Sequence, residues 1–286
     1  MFIINDAFQS GVIEACSTAS SRRYYRGRNS ASANADGWHF PPELPSDQPD
    51  VAEILEHSSR AGIKAVRQSL VPACFVWALM ALIALAYYWL PAASHFFIGL
   101  ERLQAFLGRL FPFLGMGLSV GVLAELVRIL SAGKKSWARA NTVNAGFNLL
   151  VFGVLGLLQG VFYQQQTLWF GEGQDFRTLA SKVLVDQFGW TVFFANPYQT
   201  ILFIWKENQF KFSRVWQSMR PFKSFWGMRV LPVLITNWAF WIPMVSIIYS
   251  FPSSLQLPLA ILAVTIWVII LSFLTTEENT NDNHTD

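Results

Sequence analysis

Few side chains in the apolar part of this sequence can do chemistry. Asp186 falls about one turn inside a long, otherwise uncharged stretch with Gln187 beside it, and Lys182 stands four residues earlier. A carboxylate in hydrocarbon is costly and marks a functional group in need of a partner. A lysine at i−4 shares its helix face, so a snorkelling helix-end ion pair is the alternative reading. Upstream, Asn144, Asn148, Gln159 and Gln166 fall within about 60° of one another at helical pitch. Such a stripe either faces a hydrated cavity or bonds neighbouring helices, each bond worth about 0.6 kcal/mol in a bilayer. Leu155 lies on the same stripe and interrupts it at mid-span. Gln187, Asn196 and Gln199 do not share an arc with Asp186 at that pitch, and Pro197 is expected to break the helix there.

Catalytic chemistry has little to work with. The histidines are His39, His57, His95 and His284, none inside an apolar span, and no His, Cys and carboxylate set has ligand spacing. There is no glycine-rich phosphate loop beside a strand and no defensible nucleophile–base pair. No catalytic, cofactor-binding or metal residue is assigned, and the expectation is not an enzyme. Cys16 and Cys74 are far apart and read as free thiols.

The elements that must position these residues are membrane helices. Of 286 residues, 53% are hydrophobic and only 14% charged, against roughly 25% charge in soluble domains. The first uncharged run is Val71 to Leu90, with Pro72 in its opening turn. Further spans are expected at about Leu110 to Glu125, Val143 to Tyr163 and Val183 to Trp205. Glu125 is expected at the interface beside Arg128. The forty-seven residues from Val230 to Thr276 then carry no Asp, Glu, Lys, Arg or His. About 20 residues cross a bilayer, so this run divides into a helical hairpin at Phe251-Pro252-Ser253-Ser254. The fold class is therefore all-α, a polytopic transmembrane bundle of about six membrane helices. Gly117 and Gly121 form a small-xxx-small pair, and Gly146, Gly153, Gly156 and Gly160 lie on an arc separate from the amide stripe. Both sets are built for close helix packing.

The hairpin carries a pattern of its own: Asn237-Trp238, Trp241 and Pro243, then Pro252, then Trp267, Leu271 and Ser272. Asn237 and Trp241 share a face, and Pro243 removes a ladder bond and should kink the helix near Ala239. This pattern resembles the 22-kDa peroxisomal membrane protein family, which includes the mitochondrial Mpv-seventeen protein. Lys182-Val-Leu-Val-Asp186-Gln187 and Gly156-Leu-Leu-Gln-Gly160-Val-Phe-Tyr163 look like two further family blocks. The resemblance covers about residues 111–275. The family's Gln becomes Val245, its Asn-Phe becomes Ile248-Tyr249 and its Arg becomes Gln256. The resemblance implies an organelle-membrane protein of the kind proposed to form pores or to influence metabolite and redox balance.

Residues 1–49 read as a flexible polar tail, 50–70 as an amphipathic juxtamembrane helix, 71–100 as an extra N-terminal anchor, 103–276 as the family-like core and 277–286 as an acidic tail. Asp50 and Glu53 have the form of a capping box. The amphipathic helix reads as lying on the membrane surface. Between Asn208 and Arg229, aromatics interleave with Lys211, Arg214, Arg220 and Lys223. Flanked by spans, this segment suits lipid headgroups rather than nucleic acid. Seventeen Lys and Arg fall in the tail and loops of one side and four on the other, which places both termini on the cytoplasmic-equivalent side. The expected setting is a bacterial inner membrane or an organelle membrane of mitochondrial or peroxisomal type. The leading expectation is a pore-like protein affecting permeability to small solutes, with no cofactor. The alternative is a non-conducting scaffold or accessory subunit. Its partners would be the lipid bilayer, a small-molecule solute, and a second copy or another membrane protein.

Overall fold

The amphipathic segment and the uncharged run after it share one helical period, and in the computed structural model they form one helix, α1 (Val51–Trp89). The juxtamembrane part therefore runs straight into the span rather than forming a separate surface helix. Pro72 sits well inside α1, not in an opening turn. It removes a single N–H from a ladder continuous on both sides. The structure describes residues 51–131, 137–220 and 222–282, and every regular element among them is helical. The N-terminal tail with Asp50, the side chains of Leu271 and Ser272 and the end of the acidic tail lie outside what is described.

After α1 come α2 (Ser94–Leu107), α3 (Leu110–Leu130) and α4 (Arg139–Phe170). Helix α5 spans residues 176–207; it starts as α-helix, widens to π-helix over Val185–Ala195 and returns to α-helix over Asn196–Glu207. Two short helices, α6 (Phe212–Ser218) and α7 (Phe222–Phe225), precede the hairpin of α8 (Leu231–Tyr249) and α9 (Ser253–Asp282). Five helices are long and apolar enough to cross a membrane: α1 from Gly62, α3, α4, α8 and α9 to Ile270. Expected as the fourth of six spans, α5 is long enough but too rich in polar residues to qualify. The second span continues past its expected end, so Glu125 lies within α3 at 6% exposure, bonded by Arg128 and by Asn141 of α4.

Contacts fix the direction of each pass. Along α1, Gly62 meets Ile235, the Trp77 indole donates to the Phe240 carbonyl at 3.0 Å, and the Tyr88 hydroxyl donates to the Ser250 carbonyl. So α1 and α8 run parallel and α9 returns beside them. At the hairpin end, the Phe97 ring of α2 lies tilted 6.2 Å from that of Phe251, and the Ser253 and Ser254 hydroxyls donate to Glu172 and Glu101. Helix α2 therefore caps that end, where α1 stops and α3 begins. At the other end the Lys206 ammonium lies 5.1 Å from the Phe147 ring centre. The six long helices thus alternate in direction, and the chain enters and leaves the bundle at one end. Phe75, Leu82, Leu150, Val161 and Phe193 point outward and are exposed, as suits lipid contact.

The α3–α4 seam is set by small residues. A Cβ on Gly156 would sit 2.3 Å from the Pro112 carbonyl oxygen, and one on Gly121 would sit 2.7 Å from the Leu149 nitrogen. Gly117 faces Leu149 and Gly153, which itself faces the Phe113 ring; Gly160 faces Pro112 and Leu257 at looser spacing.

Candidate functional site

The middle of the bundle holds a cavity of about 100 Å³ between α3, α4, α5, α8 and α9. One wall is polar and belongs to α5: Asp186, Gln187, Thr191, Asn196 and Gln199. The opposite wall is apolar, with Met116 of α3, Phe152 of α4 and Ile261 and Val264 of α9 among its residues. A single water occupies about 10–15 Å³ on this measure, so several fit.

The π-helix makes that wall. Its bonds run from residue i to i+5, and the Asn196 N–H bonds the Thr191 carbonyl five residues back. Asp186, Thr191 and Asn196 are spaced by five, so the wider turn stacks them on one face. At α-helical pitch they would spiral apart, which is why they do not read as one arc in the sequence. Pro197 does not end the helix either: it enters just after the last π bond, and α5 continues to Glu207.

Asp186 is held by donors rather than by a cation. The Tyr249 hydroxyl of α8 donates to Asp186 Oδ2 at 2.5 Å, and Gln187 Nε2 donates to Oδ1 at 3.3 Å. Gln166 Nε2 of α4 donates in turn to the Tyr249 hydroxyl at 3.1 Å. The expected pair with Lys182 does not form. Lys182 is buried one turn earlier, in the α-helical part of α5, and makes no ion pair among the described residues. The α-to-π junction lies between the two, which breaks the i, i+4 alignment such a pair needs.

The other predicted residues divide into two groups. Gln159, Asp186, Gln187, Asn237, Trp241 and Trp267 line the cavity. Gln159 Oε1 accepts the Trp190 indole N–H at 2.7 Å, so this amide bonds a neighbouring helix and lines the cavity at once. Trp190 is held for that bond between the Phe162 and Phe194 rings. Asn237 Nδ2 reaches Gln187 Oε1 at a long 3.5 Å, and Trp238 donates to the Gln187 carbonyl at 2.8 Å. Trp267 stacks on Phe240 at 3.9 Å. Asn144, Asn148 and Pro243 do not line the cavity, and Asn148 Oδ1 is buried without a partner. Pro243 lies inside α8, with the Trp77 bond at Phe240 beside its missing ladder bond. The sequence does not single out Tyr249 or Thr191, and it sets Asn196 and Gln199 aside because they leave the arc of Asp186 at α-helical pitch; the five-residue spacing is the available signal for Thr191 and Asn196. Among the described residues no group of His, Cys and carboxylates could hold a metal ion.

Comparison with protein-family models, curated proteins and solved structures gives no match to this chain.

Proposed function

We propose that this protein passes a small polar solute across its membrane by way of the central cavity. The polar wall of α5 carries the reading. Polar groups inside a membrane bundle are expensive, and leucines would pack the same positions at less cost. The hairpin and α5 motifs resembling the 22-kDa peroxisomal membrane protein family support the same reading, since members of that family are proposed to form pores. The bundle end where the chain enters and leaves also carries Arg128, Arg139 and Lys206, which supports placing it on the cytoplasmic-equivalent side of an inner or organelle membrane.

The test is solute efflux from liposomes holding the purified chain. Thr191→Trp fills the cavity from the polar wall and is expected to lower efflux at least tenfold without loss of folded protein. Unchanged efflux in that variant, or none from the parent protein, counts against the proposal. A fixed co-purifying partner without efflux would instead favour an accessory subunit.

A further inference from the structure

The two ends of the polar wall differ in what they leave unbonded. Asp186 has donors from Tyr249 and Gln187. Asn196, ten residues along, is 1% exposed and has no partner for either Nδ2 or Oδ1. Gln199, 6% exposed, has an unpartnered Oε1. Both side chains line the cavity. Buried polar atoms in native proteins are almost always bonded to protein, water or ligand, so three such atoms at one spot point to an occupant.

The unmet groups define its chemistry. Asn196 offers one donor nitrogen and one acceptor oxygen, a balance that survives exchange of the two atoms by an amide flip. Gln199 adds an acceptor one turn away. The complement is one carbonyl acceptor and two N–H donors. We infer that Asn196 and Gln199 form a subsite for a neutral primary carboxamide, an amino group on a carbonyl carbon, as in acetamide or urea. The ligand carbonyl accepts from Asn196 Nδ2, its syn N–H donates to Asn196 Oδ1, and its anti N–H donates to Gln199 Oε1. An ammonium ion would leave Asn196 Nδ2 unanswered, and a carboxylate or phosphate would meet two acceptor oxygens. The inference rests on the cavity being a solute site and does not require conduction.

Saturation-transfer NMR on the full chain in detergent tests it, with acetamide as probe and glycerol as comparison. Acetamide should receive stronger transfer than glycerol. Asn196→Asp keeps the shape but sets an oxygen against the ligand carbonyl, and should cut transfer at least fivefold. Gln199→Leu should reduce it by a smaller factor and serves as the second variant if Asn196→Asp does not fold. Asn144→Leu, outside the cavity, should change nothing. Equal transfer to acetamide and glycerol, undiminished transfer in both cavity variants, or no transfer at all would overturn the inference, the last meaning that water alone fills the space. Transfer without efflux from liposomes counts against the permeation proposal only; efflux without transfer counts against the subsite only.

Discussion

The α3–α4 seam and the α5 wall both face the middle of the bundle, yet they use the space between helices in opposite ways. At the seam, glycines remove side chains until backbones touch. At the wall, amides and a carboxyl stand around a void with some of their bonding unmet. Close packing stabilises the first region. The second is paid for by the rest of the fold, so replacing an unmet wall amide with an apolar side chain should differ in sign from enlarging a seam glycine.

The largest effect belongs to the seam. Gly156→Leu drives carbon into the Pro112 carbonyl and the Met116 side chain, and the carbonyl cannot retreat without shifting a helix. Overpacking a tight site costs about 1–3 kcal/mol and more where backbone is hit. The expected outcome is loss of most folded protein, read by size-exclusion chromatography and thermal unfolding in detergent. A stable Gly156→Leu protein would show that the two helices can part.

Next is Tyr249→Phe, which keeps the ring against Tyr163 and removes one donor from Asp186. Leaving a buried polar group short of its bond costs about 1–3 kcal/mol. The thermal midpoint should fall, and Tyr249→Phe with Asp186→Leu should recover part of the loss, since the carboxyl left short of a donor is then gone. No recovery would mean that Asp186 is satisfied by other groups.

Gln199→Leu reverses the sign. It deletes an unpartnered amide oxygen in a buried site, and replacing an unmet polar group with an apolar one of similar size is neutral or stabilising by up to about 1 kcal/mol. Stability should hold or rise while efflux falls. A variant that lost stability would show that the amide bonds something structural, and the contrast between wall and seam would fail.

The two regions also differ in how legible they were. Gly153, Gly156 and Gly160 repeat at α-helical intervals along α4, so their shared face can be read at 100° per residue. Gly117 and Gly121 are read as a pair from their four-residue spacing, although α3 widens to π-helix over Leu118–Leu123. The hairpin follows from length together with the turn signal at Phe251-Pro252-Ser253-Ser254. The wall cannot be read that way. Asp186, Thr191 and Asn196 share a face only after the helix widens, and nothing in local composition announces a π register. Tyr249 is hidden for another reason: it is the partner of a residue 63 positions earlier, a pairing set by tertiary packing. Helix α5 fell short as a span because its polar wall lowers its hydropathy, so the feature that lines the cavity also disguises the helix as something other than a membrane span.

The smallest effect compares two carboxyls at different depths of the same helix. Asp175 caps α5: its Oδ1 accepts the Thr178 N–H at 3.1 Å and its Oδ2 accepts the Thr178 hydroxyl at 2.7 Å. Those bonds favour the ionised form and hold its pKa below the ordinary 3.8. A depressed folded value means that the cap contributes fully above the unfolded pKa and is lost as pH falls through the lower folded one. Between pH 5 and 8 the start of α5 should therefore show no pH dependence from this group, and protection of the Thr178 amide from hydrogen exchange should drop only below about pH 3.8. Asp175→Ala should show that unprotected behaviour at every pH while leaving the cavity untouched, because the cap is exposed and Asp186 lies about three turns further in. If Asp175→Ala also altered the occupancy of the cavity, the wall would be coupled to the end of its helix, and the separation between a rigid seam and an independent polar wall would have to be redrawn around α5 as a single moving part.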